Sequence, residues 1–73
     1  MQANDVIGLI NDSILTDDYR ITVTGCFYDP DHGLMVEFNQ EERGDIGRYA
    51  YHAPTPMIAT VANFDRLYYS RRV

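Results

Sequence analysis

YRITVTGCFYDPDHGLMVEF, residues 19–38, holds two alternating runs on either side of a cluster of turn formers. In the first run Tyr19, Ile21, Val23 and Phe27 fall on one face and Arg20, Thr22, Thr24 and Cys26 on the other. That period of two is the pattern of a half-buried strand. Gly25 interrupts it and marks a bulge. Asp29-Pro30-Asp31-His32-Gly33 follows, with Pro30 presetting φ and Gly33 free to take φ > 0. In LMVEF, Leu34, Val36 and Phe38 point inward and Glu37 outward, while Met35 is available to a second apolar surface. The stretch predicts a β-hairpin.

Working outward, NQEERGDIG after the hairpin offers turn chemistry at Gly44 and Gly47. RYAYHA then places Tyr49 and Tyr51 on one side of a third strand. Thr55 stands at an N-cap position and Pro56 at a first helical position, so a helix is predicted from there, with Met57 or Ile58, Val61 and Phe64 as its packing stripe. Whether it continues through Asp65-Arg66-Leu67 is left open by the periodicity. Toward the N-terminus, Val6, Ile7, Ile10 and Ile14 recur at helical spacing behind Asn4-Asp5, which predicts a short amphipathic helix within residues 4–15. The expected fold class is α+β: a short N-terminal helix, a three-stranded antiparallel β-meander, and a C-terminal helix packed on one sheet face. One edge strand is left open for self-pairing or for a partner.

With 73 residues the chain has room for one domain, residues 1–73, near the size at which a lone hydrophobic core becomes marginal. Self-association is one remedy, and a homodimer through an edge strand is expected as such. Only Cys26 carries a thiol, so no intramolecular disulfide forms and no cysteine cluster holds zinc. The N-terminal segment has no Lys or Arg and its apolar residues are interrupted, which predicts neither signal peptide nor membrane span. A cytoplasmic location without membrane attachment is expected.

Charge divides the chain. The formal net charge is −5, yet residues 1–47 hold ten acids and two arginines, and residues 48–73 one acid and four arginines. The overall field repels nucleic acid and anionic lipid. All six basic residues are Arg, which suits planar, bidentate or stacked contacts.

The strand-turn-strand FYDPDHGLMVEF, the tyrosine pair in RYAYHAP, TPM and the closing FDRLYYSRR together resemble the KTSC domain, first described at the C-terminus of lysyl-tRNA synthetases. The resemblance spans residues 18–72, and residues 1–15 form an added N-terminal helix. It implies an α+β module that also stands alone as a small protein of bacteria and their phages, with RNA binding as a suggested activity. The chain departs from that pattern in its N-terminal helix and in lacking lysine.

Two surfaces follow. Asp17, Asp18, Asp29, Asp31, Glu37, Glu41, Glu42 and Asp45 form an acidic surface. Such a surface keeps a small protein soluble, or it mimics a phosphate array and occupies the basic nucleic-acid-binding groove of a host protein, as small phage-encoded inhibitors do. Alternatively Arg48, Tyr49, Tyr51, Arg66, Tyr68, Tyr69, Arg71 and Arg72 form a Tyr/Arg surface for stacking on RNA or other single-stranded bases. In the competing reading Tyr49 and Tyr51 are ordinary core. His32 with Asp29 and Asp31 is what the turn needs for its own backbone bonds, and Cys26 has the pattern of a mid-strand thiol, the least supported alternative being an enzyme with Cys26 as nucleophile and His32 or His52 as base. No phosphate loop, nucleophile elbow or paired catalytic carboxylate motif is present. The expectation is a non-catalytic interaction protein without cofactor or metal.

Overall fold

The structure is a computed structural model that describes residues 1–44 and 51–73. Its elements are α1 (Ala3–Leu9), β1 (Ser13–Leu15), β2 (Tyr19–Asp29), β3 (Gly33–Glu42), β4 (Thr55–Thr60) and α2 (Val61–Leu67), followed by a 3-10 turn over Tyr69–Arg71. The strands form one antiparallel sheet in the order β1-β2-β3-β4. The class is α+β, with four described strands where the sequence predicts three.

The hairpin β2–β3 is the centre of the sheet, paired from Tyr19↔Glu42 to Asp29↔Gly33. Its turn closes on itself: the Asp31 N–H donates to Asp29 Oδ1 at 2.8 Å, and Gly33 takes φ of 81°. The register shifts between Val23 and Gly25, so Thr24 is the extra residue of a bulge. An extra residue reverses the parity of everything beyond it. Ile21 and Val23 are buried before the bulge, and Cys26 packs against the core after it, while Phe27 turns to solvent, 39 % exposed. The predicted inward Phe27 and outward Cys26 thus exchange places.

The N-terminal helix is shorter than predicted. Asn11 adopts φ of 67°, a left-handed conformation that Asn tolerates and that stops the helix. Its N–H donates to Val23 O at 2.8 Å. Ser13–Leu15 then pairs with Arg20–Thr22 as β1, the Ser13 and Thr22 hydroxyls lying 2.9 Å apart. Ile14 is buried as a strand residue opposite Ile21, an outcome that its helical spacing from Ile10 disguised.

At the other end, the predicted helix from Thr55 is a strand. Thr55–Thr60 pairs with Gln40–Met35, and the helix begins six residues later at Val61. Pro56 is equally at home at the start of an edge strand, and proline holds its predecessor Thr55 extended. The working N-cap is Thr60, whose Oγ1 accepts from the Asn63 N–H at 3.2 Å. The helix does continue through Asp65-Arg66-Leu67. Of the predicted strand 48–53, Arg48, Tyr49 and Ala50 lie outside the described residues, and Tyr51 makes an isolated antiparallel bridge to Arg43.

Both helices pack on one face of the sheet. The core is Val6 from α1, Ile14, Ile21, Val23, Val36 and Phe38 from the sheet, Phe64 from α2 and Tyr68 just beyond it. Phe38, Phe64 and Tyr68 meet edge-on or tilted at 5.2 to 5.6 Å between ring centroids. Edge-to-face geometry sets the positive rim of one ring against the negative face of the next. The C-terminal residue is tied down as well, with the Val73 N–H donating to Leu15 O at 2.9 Å. Among the described residues no helix is long and apolar enough to cross a membrane.

Candidate protein-binding surface

The predicted acidic residues do not share one surface. Asp17 and Asp18 are exposed in the turn between β1 and β2, beside the strand end that carries Glu41 and Glu42. Asp29 and Asp31 occupy the opposite turn, ten residues away along β2, or about 30 Å at the usual rise of a strand. Glu37 stands between them on β3, exposed. Asp45 lies outside the described residues.

Their electrostatic states differ too. Arg20 grips Glu41 with both arms of its guanidinium, Nε to Oε1 at 3.0 Å and Nη2 to Oε2 at 2.7 Å. These bonds hold the Glu41 carboxylate below its ordinary range and push the Arg20 guanidinium further up. Asp29 is held low first by the Asp31 N–H and then by His32, whose Nδ1 lies 3.3 Å from Oδ2. By contrast, no described cation lies within ion-pair distance of Asp17, Asp18, Asp31, Glu37 or Glu42.

The Tyr/Arg group is dispersed. Tyr68, 6 % exposed, is core: its hydroxyl donates to Gln40 Oε1 at 2.6 Å, and it offers no free ring face. Tyr51 lies under the Arg20 guanidinium at 4.4 Å, at the end of the sheet away from the β2–β3 turn. Arg66 reaches back to Asn63 on its own helix. Tyr69 and Arg72 stack at 3.6 Å beside exposed Arg71, which shares a cleft with Asp17 and Asp18. Arg48 and Tyr49 lie outside the described residues.

Cys26 and His52 do not meet. Cys26 is opposite Val36, and the His52 N–H donates to Glu42 O, six residues further along β3, which is about 20 Å. Among the described residues no three His, Cys, Asp or Glu side chains are grouped to share a metal ion.

The bulge reveals a surface that the sequence pattern concealed. With both described helices on one side, the other sheet face carries no helix among the described residues. It carries Leu15 on β1, Phe27 on β2, Glu37 on β3 and Ile58 on β4, with Leu15 43 % and Ile58 59 % exposed. Met35, opposite Phe27, is buried at 8 % on this face and outside the main core. A shallow groove of about 230 Å³ runs beside the bulge, lined by Thr24, Glu37, Asn39, Pro56 and Ile58 among others. The Arg20–Glu41 pair and Tyr51 close the face at one end. Gly25 was the signal that could have exposed Phe27: a bulge read literally flips the parity of the residues after it.

No family model matches the chain, and no curated protein or solved structure matches it.

Proposed function

We infer that the chain is a small acidic, non-catalytic interaction protein. It docks on a positively charged surface of a host protein, such as a nucleic-acid-binding groove, and blocks or modulates that surface. The observation that supports this most directly is the state of the charges. Asp17, Asp18, Glu37 and Glu42 are exposed and form no ion pair with a described cation, whereas Arg20 is engaged by Glu41 and Tyr51, and Arg72 by Tyr69. Unmatched carboxylates steer a cationic partner in and reject nucleic acid. The uncovered face beside them supplies apolar area around Phe27 and Met35 that a partner can desolvate. The KTSC resemblance belongs to this proposal as kinship of architecture.

The test is a binding measurement on the partner retained by the immobilised chain from nuclease-treated lysate. Asp17→Lys combined with Asp18→Lys should cut the association rate by about tenfold or more and flatten its salt dependence. Arg71→Ala with Arg72→Ala should leave both unchanged. Retention of nucleic acid in place of protein, lost in the Arg71 and Arg72 variant, overturns the reading in favour of the Tyr69–Arg72 stack.

A further inference from the structure

The two edges of the sheet are treated differently. β1 is three residues long, and its outer side receives the Val73 N–H at Leu15 O. β4 is six residues long, and among the described residues β3 is its one strand partner. Pro56 fixes which groups face outward. It has no N–H, so Asn39↔Pro56 is a non-hydrogen-bonded pair of the antiparallel ladder. Every second residue shares that condition, so Ile58 presents both N–H and C=O to the outside, Thr60 presents its N–H while its C=O opens the first turn of α2, and Pro56 presents its C=O.

An open edge pairs with any extended chain, and proteins guard edges with charged side chains. Here the charged guard is missing, and Pro56 blunts the edge only by removing one donor. Residues 51–64 contain no Asp, Glu, Lys or Arg, in a chain whose net charge is −5. Mutual repulsion is the main obstacle to self-association of such a chain, and it is weakest along this strip. A basic partner strand would find no carboxylate on β4 to pair with, which favours an uncharged occupant.

We propose that β4 is a self-recognition edge, on which a second copy of this chain adds its own β4 in antiparallel register about a two-fold axis at Ile58. The geometry closes without a clash of donors. The Ile58 N–H donates to the second copy's Ile58 C=O and the reverse, and each Thr60 N–H donates to the opposing Pro56 C=O. The missing Pro56 N–H leaves no donor facing Thr60, and none is needed, because the Thr60 carbonyl is already taken by the first turn of α2. The two Ile58 side chains meet across the axis on the uncovered face, the most exposed apolar side chain of the sheet face thereby gaining a partner. The product is an eight-stranded sheet whose turn acids lie at the strand ends, with each exposed Glu37 beside the Ile58 pair.

Sedimentation equilibrium across a concentration series tests this. The expected species is a dimer of twice 8.4 kDa that tightens as salt is raised, because screening relieves repulsion between the acidic bodies. Ile58→Lys, at an exposed position that the fold does not need, should return the chain to monomer. Ile7→Lys, at an equally exposed site on α1, should leave the dimer intact. Amide exchange at Ile58 and Thr60 should slow as concentration rises. A chain that stays monomeric at millimolar concentration overturns the proposal, as does a dimer that survives Ile58→Lys or is lost equally in Ile7→Lys.

Discussion

Tyr68 and Gln40 are joined at the point where the C-terminal segment meets the sheet, the phenol donating to Gln40 Oε1 at 2.6 Å while its ring packs against Phe38 and Phe64. The ring and the hydroxyl can be separated by substitution. Tyr68→Phe loses one hydrogen bond and should cost about 1 kcal/mol in urea unfolding followed by circular dichroism. Tyr68→Ala also loses the aromatic contacts and should cost about 3 to 5 kcal/mol. Burial pushes the Tyr68 phenol up from its ordinary value, so the folded state favours the protonated form. That stability is fully present below the ordinary tyrosine value and is lost as pH rises above it. Tyr68→Phe should therefore show a flatter alkaline limb than the parent.

Thr60 ends a strand and starts a helix in the same residue, accepting the Asn63 N–H at its side chain. Thr60→Ala removes the side-chain acceptor that caps the start of α2 and should cost about 1 kcal/mol. Thr60→Ser keeps the oxygen and should stay within a few tenths of the parent. Equal losses for the two variants would mean that strand packing, not the cap, is what Thr60 supplies.

The acid limb has a definite sign. Glu41, Asp29 and Asp65 are all held below the ordinary carboxylate range: Glu41 by Arg20, Asp29 by the Asp31 N–H, and Asp65 by the Met1 ammonium and then the Ser70 hydroxyl. A carboxylate with a depressed folded value stabilises the fold above its unfolded value, and the contribution is lost as pH falls through the folded one. Stability should be level above about pH 5 and should decline below it as the carboxylates protonate. Glu41→Gln removes one of these groups, so the urea midpoint should fall less steeply between about pH 5 and pH 3. An unchanged acid slope would mean that the Arg20 grip is too solvent-screened to matter.

How far the sequence disclosed this fold depended on whether a residue had one structural use or two. The hairpin was legible because Pro30 and Gly33 sit between alternating runs that have no competing reading. Pro56 has two uses, opening a helix or an edge strand, and β-branched Ile58 and Thr60 tip it to strand once β3 is there to pair with. Ile14 likewise satisfies a helical stripe or a three-residue strand, and Asn11 decides by taking the left-handed conformation. The candidate surface suffered most, because a bulge at Thr24 reverses faces that strict alternation assigns. The acids were legible as residues but not as a surface, since placing them at opposite ends of a hairpin requires its length and register.

Two glycines should respond oppositely to alanine. Gly33 closes the hairpin at φ of 81°, where a side chain is strained whatever space surrounds it, so Gly33→Ala should cost about 1 to 2 kcal/mol. Gly8 is exposed in α1, and a Cβ there would meet nothing within 4 Å. Gly8→Ala should therefore stabilise by about 0.5 to 1 kcal/mol through the lower entropy of the unfolded chain. Thermal midpoints of the two variants, one below and one above the parent, check both signs together.

Phe27 separates recognition from folding. It is 39 % exposed and lies opposite Met35 on the face that no described helix covers, outside the main core. Removing its ring uncovers Met35 but opens no cavity among Val6, Phe38 and Phe64, so Phe27→Ala should lower stability by no more than about 1 kcal/mol. Its effect on binding should be larger. An aromatic ring on a docking face is desolvated by the partner, and truncating such an anchor raises Kd by about tenfold or more, chiefly by faster dissociation. Asp17→Lys with Asp18→Lys acts on the association rate instead, since those carboxylates stand at the rim. Measured together by surface plasmon resonance, the two variants should fall on different rate constants and combine additively. If Phe27→Ala leaves dissociation unchanged, the partner engages the acidic end of the hairpin alone, and the sheet face plays no part in holding it.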